Sequence, residues 1–164
     1  MNQQAKVIDE LFKYNLWANT KMIDICSQLN DEQLQVETDG VYGRILPIIE
    51  HIVHGEGAYI KHLTGSRPWA DDLDWEAQSM QQLRELAQVS GYRLIELGSI
   101  VDPDIEHLEK DEGVTYSFPN STVLIQALYH GIEHRTQLKV LLTKIGVEHP
   151  ELAGWDFGET VVEN

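Results

Sequence analysis

Cysteine is almost missing from this 164-residue chain, in which Cys26 stands alone. No intrachain disulfide can form, which fits a reducing, cytoplasmic setting. Positive charge is also scarce: 12 Lys and Arg face 27 Asp and Glu, for a net charge of −15. Such a surface repels phosphate backbones and anionic membranes, so sequence-independent nucleic-acid binding is not expected. No stretch approaches the roughly 20 apolar residues of a membrane span. The start, Met1-Asn2-Gln3-Gln4, shows no basic region leading into an apolar run, so no signal peptide is expected. A Gly-rich phosphate loop, a Gly-x-Ser-x-Gly elbow and a Cys-x-x-Cys pair are all absent. P-loop nucleotide hydrolysis, serine-hydrolase chemistry and disulfide exchange lose support accordingly. No repeat, low-complexity segment or linker interrupts the chain, and its length suits one domain, residues 1–164, with room for a real core.

What the chain does have is helical periodicity in four segments. The first runs from about Ala5 to Leu29, with Val7, Ile8, Leu11, Trp17, Ile25 and Leu29 at helical spacing. Cys26 falls among Ile23, Ile25 and Leu29 and reads as a small core residue. After a turn at Thr38-Asp39-Gly40, the second helix runs from about Tyr42 to Leu63. Its Pro47 is tolerable near the first turn, and Gly65 and Pro68 end it. The third helix is expected from near Trp75 to about Val101, stopped by Asp102-Pro103. A long connection, 102–119, follows, with a turn at Asp111-Glu112-Gly113 and an alternation of Val114, Tyr116 and Phe118 that suits a short extended piece; it is expected to act as a crossover or a lid. The fourth helix starts near Asn120-Ser121, both good N-caps, and ends at Gly146. Trp155 and Phe157 in an acidic tail suggest that the tail packs back on the body. The expected fold is therefore all-α, an antiparallel-type four-helix bundle with a long connection between helices 3 and 4.

His130 and His134 carry the functional signal. On a helix, residues four apart lie about 40° apart around the axis and about 6 Å along it, so both imidazoles can reach one ion. His134 lies on the fourth helix's apolar stripe and His130 borders it; His51 sits beside the apolar side of the second helix and can supply a third ligand. Imidazole suits zinc, nickel, copper and iron, and three protein ligands leave one position open for water. A His pair at this spacing is also common as a structural or surface feature, in which case the three rings need not converge. His54 is one turn beyond His51 and is expected to be more exposed than a ligand. His62 lies about 16 Å further along the helix from His51 and is too far to share an ion. Glu133 and Glu56 are candidates to orient an imidazole or act as a general base, with a solvated helix face as the plain reading of Glu133. Arg135 and Gln137 can hold the site's polar groups or a substrate carboxylate, or simply bond between and along helices.

Three stretches together resemble a known family: Tyr14-Asn15-Leu16-Trp17-Ala18-Asn19, His51-Ile52-Val53-His54-Gly55-Glu56, and His130-Gly131-Ile132-Glu133-His134-Arg135-Thr136-Gln137 with Leu141, Gly146 and Pro150 after it. The chain resembles, over nearly its whole length, the DinB/YfiT-like family of bacterial four-helix-bundle proteins regarded as metalloenzymes. The resemblance implies a divalent metal, zinc or nickel, held by His51, His130 and His134. It implies a homodimer, and an unidentified small-molecule substrate. Some relatives are thiol-dependent transferases that use low-molecular-weight thiols, and others have no assigned reaction. Tyr129 stands where that family often has Asn, and Thr136 where Gly is frequent, changes that leave the ligands in place. The expected function is a divalent-metal-binding protein acting as a thiol-dependent S-transferase or hydrolase, against the alternative of a non-catalytic metal- or ligand-binding four-helix protein.

Overall fold

A computed structural model describes residues 3–70, 72–74 and 78–159. Four long helices dominate them: α1 (Gln3–Cys26), α3 (Ile45–Thr64), α4 (Met80–Ile100) and α5 (Asn120–Lys144). Two short helices, α2 (Asp31–Leu34) and α6 (Gly154–Gly158), and a hairpin of β1 (Glu106–Asp111) and β2 (Val114–Pro119) complete them. Local chemistry sets the ends. Asn30 opens α2 with a capping box, its Oδ1 accepting from Gln33 N at 2.9 Å while its own N donates to Gln33 Oε1 at 3.0 Å. Ser79 and Gln82 repeat the device at α4, so α4 starts later than expected; the expected start at Trp75 lies outside the described residues. Pro47 occupies the third position of α3, where its missing N–H costs no helical bond. Gly65 closes α3 in the left-handed conformation, φ 86°, donating to Lys61 O at 2.7 Å.

Helix α1 contacts α4 and α5, and α3 contacts the same two, so α1 and α3 stand on one diagonal and α4 and α5 on the other. Side-chain pairings give the directions. Arg84 binds Asp24 at one end of the α1–α4 seam, and Gly98 lies against Ile8 and Phe12 at the other, so these helices are antiparallel. Gly55 lies beside His130, and His62 beside Phe118 just ahead of α5, so α3 and α5 are antiparallel too. The α1–α5 and α3–α4 neighbours run parallel: Asn15 and Asn19 meet Arg135, and Cys26 and Leu142 share a cluster further on. The expectation of an antiparallel-type bundle with mostly short connections is corrected here. Residues 27–44 and 101–119 cross the diagonals, and the connection 65–79 between α3 and α4 is long enough to join parallel neighbours.

The core has two apolar clusters. One gathers Met22, Cys26, Ile49, Val53, Leu83 and Leu138 with their neighbours; the other holds Phe12, Ile60, Leu94, Leu97, Leu124 and Ala127. Between them, each of the four long helices contributes buried polar side chains: Asn15 and Asn19, Glu56, Ser90, and Arg135 with the two histidines of α5. On α1 the buried face is Phe12, Asn15, Ala18, Asn19, Met22, Ile23 and Cys26. The sequence reading chose a stripe rotated from this one, since Val7 and Leu11 are exposed and Trp17 and Ile25 only half-buried. Cys26 is buried and free, and burial pushes its thiol up to about 12, which makes it inert.

The 102–119 connection is a two-stranded antiparallel hairpin, Glu106 opposite Pro119 and Asp111 opposite Val114. Glu112 and Gly113 both take positive φ, 46° and 82°, the signature of a tight type I′ turn. The Val114 and Tyr116 side chains are exposed, so their alternation marks extension without a buried face. Asn120 is no side-chain cap: Pro119 takes that position, while Asn120 Nδ2 donates to Asp102 O at 2.8 Å and ties the hairpin's base to α5. The hairpin packs on His62, with His62 Nδ1 3.2 Å from Glu109. It is a crossover, about 16 Å along α3 from His51. At the other end of the chain, Phe157 packs on Tyr14 and Trp17, while Trp155 stays exposed. No helix among the described residues is long and apolar enough to cross a membrane.

Candidate metal centre

The antiparallel α3–α5 seam brings His51 against His130 and His134. Ring centroids lie 4.7, 4.6 and 4.5 Å apart for the pairs 51–130, 51–134 and 130–134. One ring nitrogen from each lies within 4.8 Å of the other two. A tetrahedral zinc with Zn–N near 2.0–2.1 Å asks for nitrogens about 3.4 Å apart. The reading in which the three histidines do not converge is thereby excluded. His54 does not join the group. It is half-buried, and burial together with nearby Arg67 lowers its pKa. His62 is distant, as the spacing required.

Each ring is positioned by a neighbour. His134 Nδ1–H donates to Gln137 Oε1 at 2.9 Å, which leaves Nε2 as its free donor atom. The same Gln137 oxygen accepts from the Tyr42 backbone N at 3.3 Å. The Tyr42 ring stacks on His51, centroids 4.2 Å apart, and meets His134 edge-on at 5.2 Å. Tyr42 thus walls the site from the turn before α3; the sequence reading had placed it at the start of that helix. Tyr59 covers His130 edge-on at 5.6 Å. His130 can lie this close to α3 because Gly55 has no side chain: a β-carbon there would sit 2.6 Å from His130 Cε1. Gly55 and Tyr42 were missed from sequence. The signal for Gly55 was a glycine in mid-helix one residue from His54, which normally costs helix stability and so asks for a packing reason.

Burial lowers the pKa of His51, with the charges of His134 and His54 adding to it. For His130, burial and the neighbouring His134, His51 and Arg135 bring it down to about 4. At neutral pH both imidazoles are uncharged, the form a metal requires. His130 Nδ1 is buried and has no hydrogen-bond partner among the described residues, an arrangement that costs free energy in a protein-only site.

The other polar candidates divide differently from expectation. Glu56 is not at the histidines. It is buried, accepting from Asn15 Nδ2 at 2.7 Å, Asn19 Nδ2 at 2.8 Å and the Ser90 hydroxyl. Burial pushes its carboxyl up to about 7, against the opposing pull of these bonds and of Arg135. Arg135 is equally buried and donates to Asn15 Oδ1 and Asn19 Oδ1, so it bonds between helices. Glu133 is exposed.

The DinB family sequence profile matches residues 1–160. The chain belongs to the DinB family. Its fold is similar to that of a DinB-like protein from Bacillus cereus ATCC 10987, with a TM-score of 0.67 and 24% identity over 92% of this chain and 99% of that one. No protein of curated function matches. The DinB bundle therefore explains the scaffold, and the chemistry has to be argued from the three histidines.

Proposed function

We propose that this DinB protein binds a divalent cation, zinc or nickel, through His51, His130 and His134, and works as a metal-dependent transferase or hydrolase. The observation that carries the reading is the convergence of three ring nitrogens, two of them on rings that stay neutral at physiological pH, with a buried His130 nitrogen that no group among the described residues satisfies. The donor set fits such an ion: three imidazoles suit zinc and nickel and leave a position for substrate. Bound there, a divalent cation supplies Lewis acidity to a water or a low-molecular-weight thiol. The protein's own part is to fix the ligands. Gln137 sets the tautomer of His134, Tyr42 stacks on His51 and Tyr59 meets His130 edge-on, and Gly55 admits His130 to the seam.

The test is metal analysis of untagged protein, with each of the three His→Ala changes. Stoichiometric metal in the wild type, lost in each variant, supports the reading; a metal-free wild type that cannot be reconstituted ends it. A second reading, a non-catalytic metal-binding bundle, is favoured by the commitment of Glu56 to the core, which removes the nearest buried carboxylate from general-base duty. Metal-dependent stability with no turnover of thiol or hydrolysable substrates supports it. The working assembly in our reading is a cytoplasmic homodimer. Val7 and Leu11 on α1 and Ile125 and Ile132 on neighbouring α5 leave apolar side chains exposed in support of it, and sedimentation equilibrium measures it.

A further inference from the structure

Within the polar layer between the two core clusters, Asn15, Asn19, Glu56, Ser90 and Arg135 stand outside the three-histidine group, yet they are built as a single circuit. Asn15 and Asn19 each present an amide N–H to Glu56 Oε1 and a carbonyl to Arg135 Nη1, at 2.7 and 2.8 Å on the first side and 2.7 and 2.5 Å on the second. Ser90 completes it from α4, donating to Glu56 Oε2. Five buried groups on four helices are thus tied together. Burying a carboxylate and a guanidinium is a poor route to stability, since apolar side chains of equal volume often do as well. What such a network can supply is one defined register between helices.

That register matters here because the two ionic groups share their helices with the ligands. Glu56 follows His51 on α3 by about 140° of rotation and about 7.5 Å of rise, and Arg135 follows His134 on α5 by about 100°. Helices α3 and α5 are therefore linked twice, directly through the histidines in the outer seam and, by way of Asn15 and Asn19 of α1, through Glu56 and Arg135 in the interior. One direct contact and one bridge through α1, at two azimuths, fix both the roll and the slide of one helix relative to the other. Gly131 marks how closely the bridging helix α1 is drawn against α5: a β-carbon there would lie 2.5 Å from Asn15 Oδ1 and 2.6 Å from Arg135 Nη1.

We propose that Glu56 and Arg135, joined through Asn15 and Asn19, are positioning residues that hold the α3–α5 register at which His130 and His134 meet His51. The inference rests on the three histidines being a metal centre. Its test uses the full-length, untagged protein and cobalt(II) alone, whose visible absorption reports coordination geometry and whose titration gives a Kd. Arg135→Met keeps the bulk and removes the circuit; cobalt binding falls about 10-fold or more and the visible band changes, while the far-ultraviolet helical signal stays. Glu56→Leu behaves the same way. Glu56→Gln keeps an acceptor for the two amides and a donor to Ser90, and restores binding to within about threefold of wild type along with its band. A folded Arg135→Met protein with wild-type affinity and spectrum overturns the positioning role. If Arg135→Met and Glu56→Leu do not fold, Asn19→Ala decides, because Asn15 still bridges: weakening of about threefold or more supports the role, and unchanged binding overturns it. The two readings fail separately. A wild type that binds no cobalt removes the metal centre and this inference with it. Binding abolished by His51→Ala yet unaffected by Arg135→Met removes only the positioning role.

Discussion

Gly55→Ala separates the stability of the bundle from the assembly of its histidines. A β-carbon at residue 55 would stand 2.6 Å from His130 Cε1, 3.1 Å from Nδ1 and 3.2 Å from Nε2. Carbon atoms in contact rest at about 3.5–4.0 Å, so the ring must retreat by about 1 Å. The helix itself gains, because alanine in a helix interior is better than glycine by about 0.5–1 kcal/mol. Turning the ring off its preferred rotamer costs about 0.5–1.5 kcal/mol. These effects nearly cancel, and metal-free stability stays within about 1 kcal/mol of wild type. Metal binding has no such tolerance, since metal–ligand distances hold to about 0.2 Å, and a ring displaced by about 1 Å leaves the ligand set. Zinc affinity, measured by competition with a chromophoric chelator, is expected to drop at least about 10-fold, or about 1.4 kcal/mol. Urea unfolding in the presence of chelator gives the stability arm. A Gly55→Ala protein that binds zinc as tightly as wild type would refute the argument that His130 is placed by its close approach to the α3 backbone.

Three further outcomes follow from the same geometry. Gln137→Ala removes the acceptor that orients His134; helicity is unchanged, and zinc affinity falls about 10-fold in the same competition assay. The Glu56 carboxyl is raised from 4.5 to about 7 in the fold, so its stabilising contribution is complete below pH 4.5 and is lost as pH rises through 7; with chelator present, the stability of wild type relative to Glu56→Gln falls by about 3 kcal/mol between pH 4 and pH 8, and a pH-independent difference between the two sinks the idea. The subtraction is needed because His130, lowered to about 4, works the other way, stabilising above pH 6.5 and losing that contribution as pH falls through 4. Phe12→Ala empties the centre of the smaller apolar cluster and costs about 3–5 kcal/mol in urea unfolding, while the metal-binding stoichiometry of the folded protein is retained.

The four long helices were legible because their apolar periodicity is local, and so was the His130–His134 pair, because i, i+4 spacing settles proximity on one helix without knowing any other. His51 was legible by its place beside the apolar side of α3. The wrong face of α1 shows the limit. Counting only apolar residues favoured Val7 and Leu11, whereas the buried face runs through Asn15 and Asn19. Two asparagines four apart between Phe12 and Met22 interrupt an otherwise apolar stripe, and that interruption was the available signal for a buried polar layer. Asn120 misled for a related reason: its side chain suits an N-cap, but a distant carbonyl, Asp102 O, claims it.

By itself, the sequence determined an all-α bundle, an inert lone cysteine, an acidic surface and three histidines able to converge. Tertiary structure decided which helices run parallel, that Tyr42 caps the site, and that Glu56 belongs to the core. It also decided that Arg135 answers Glu56 through two amides. These are choices between partners far apart in the chain. Local propensity carries no information about such pairs; they are fixed only when four helices pack and the buried polar groups compete for partners.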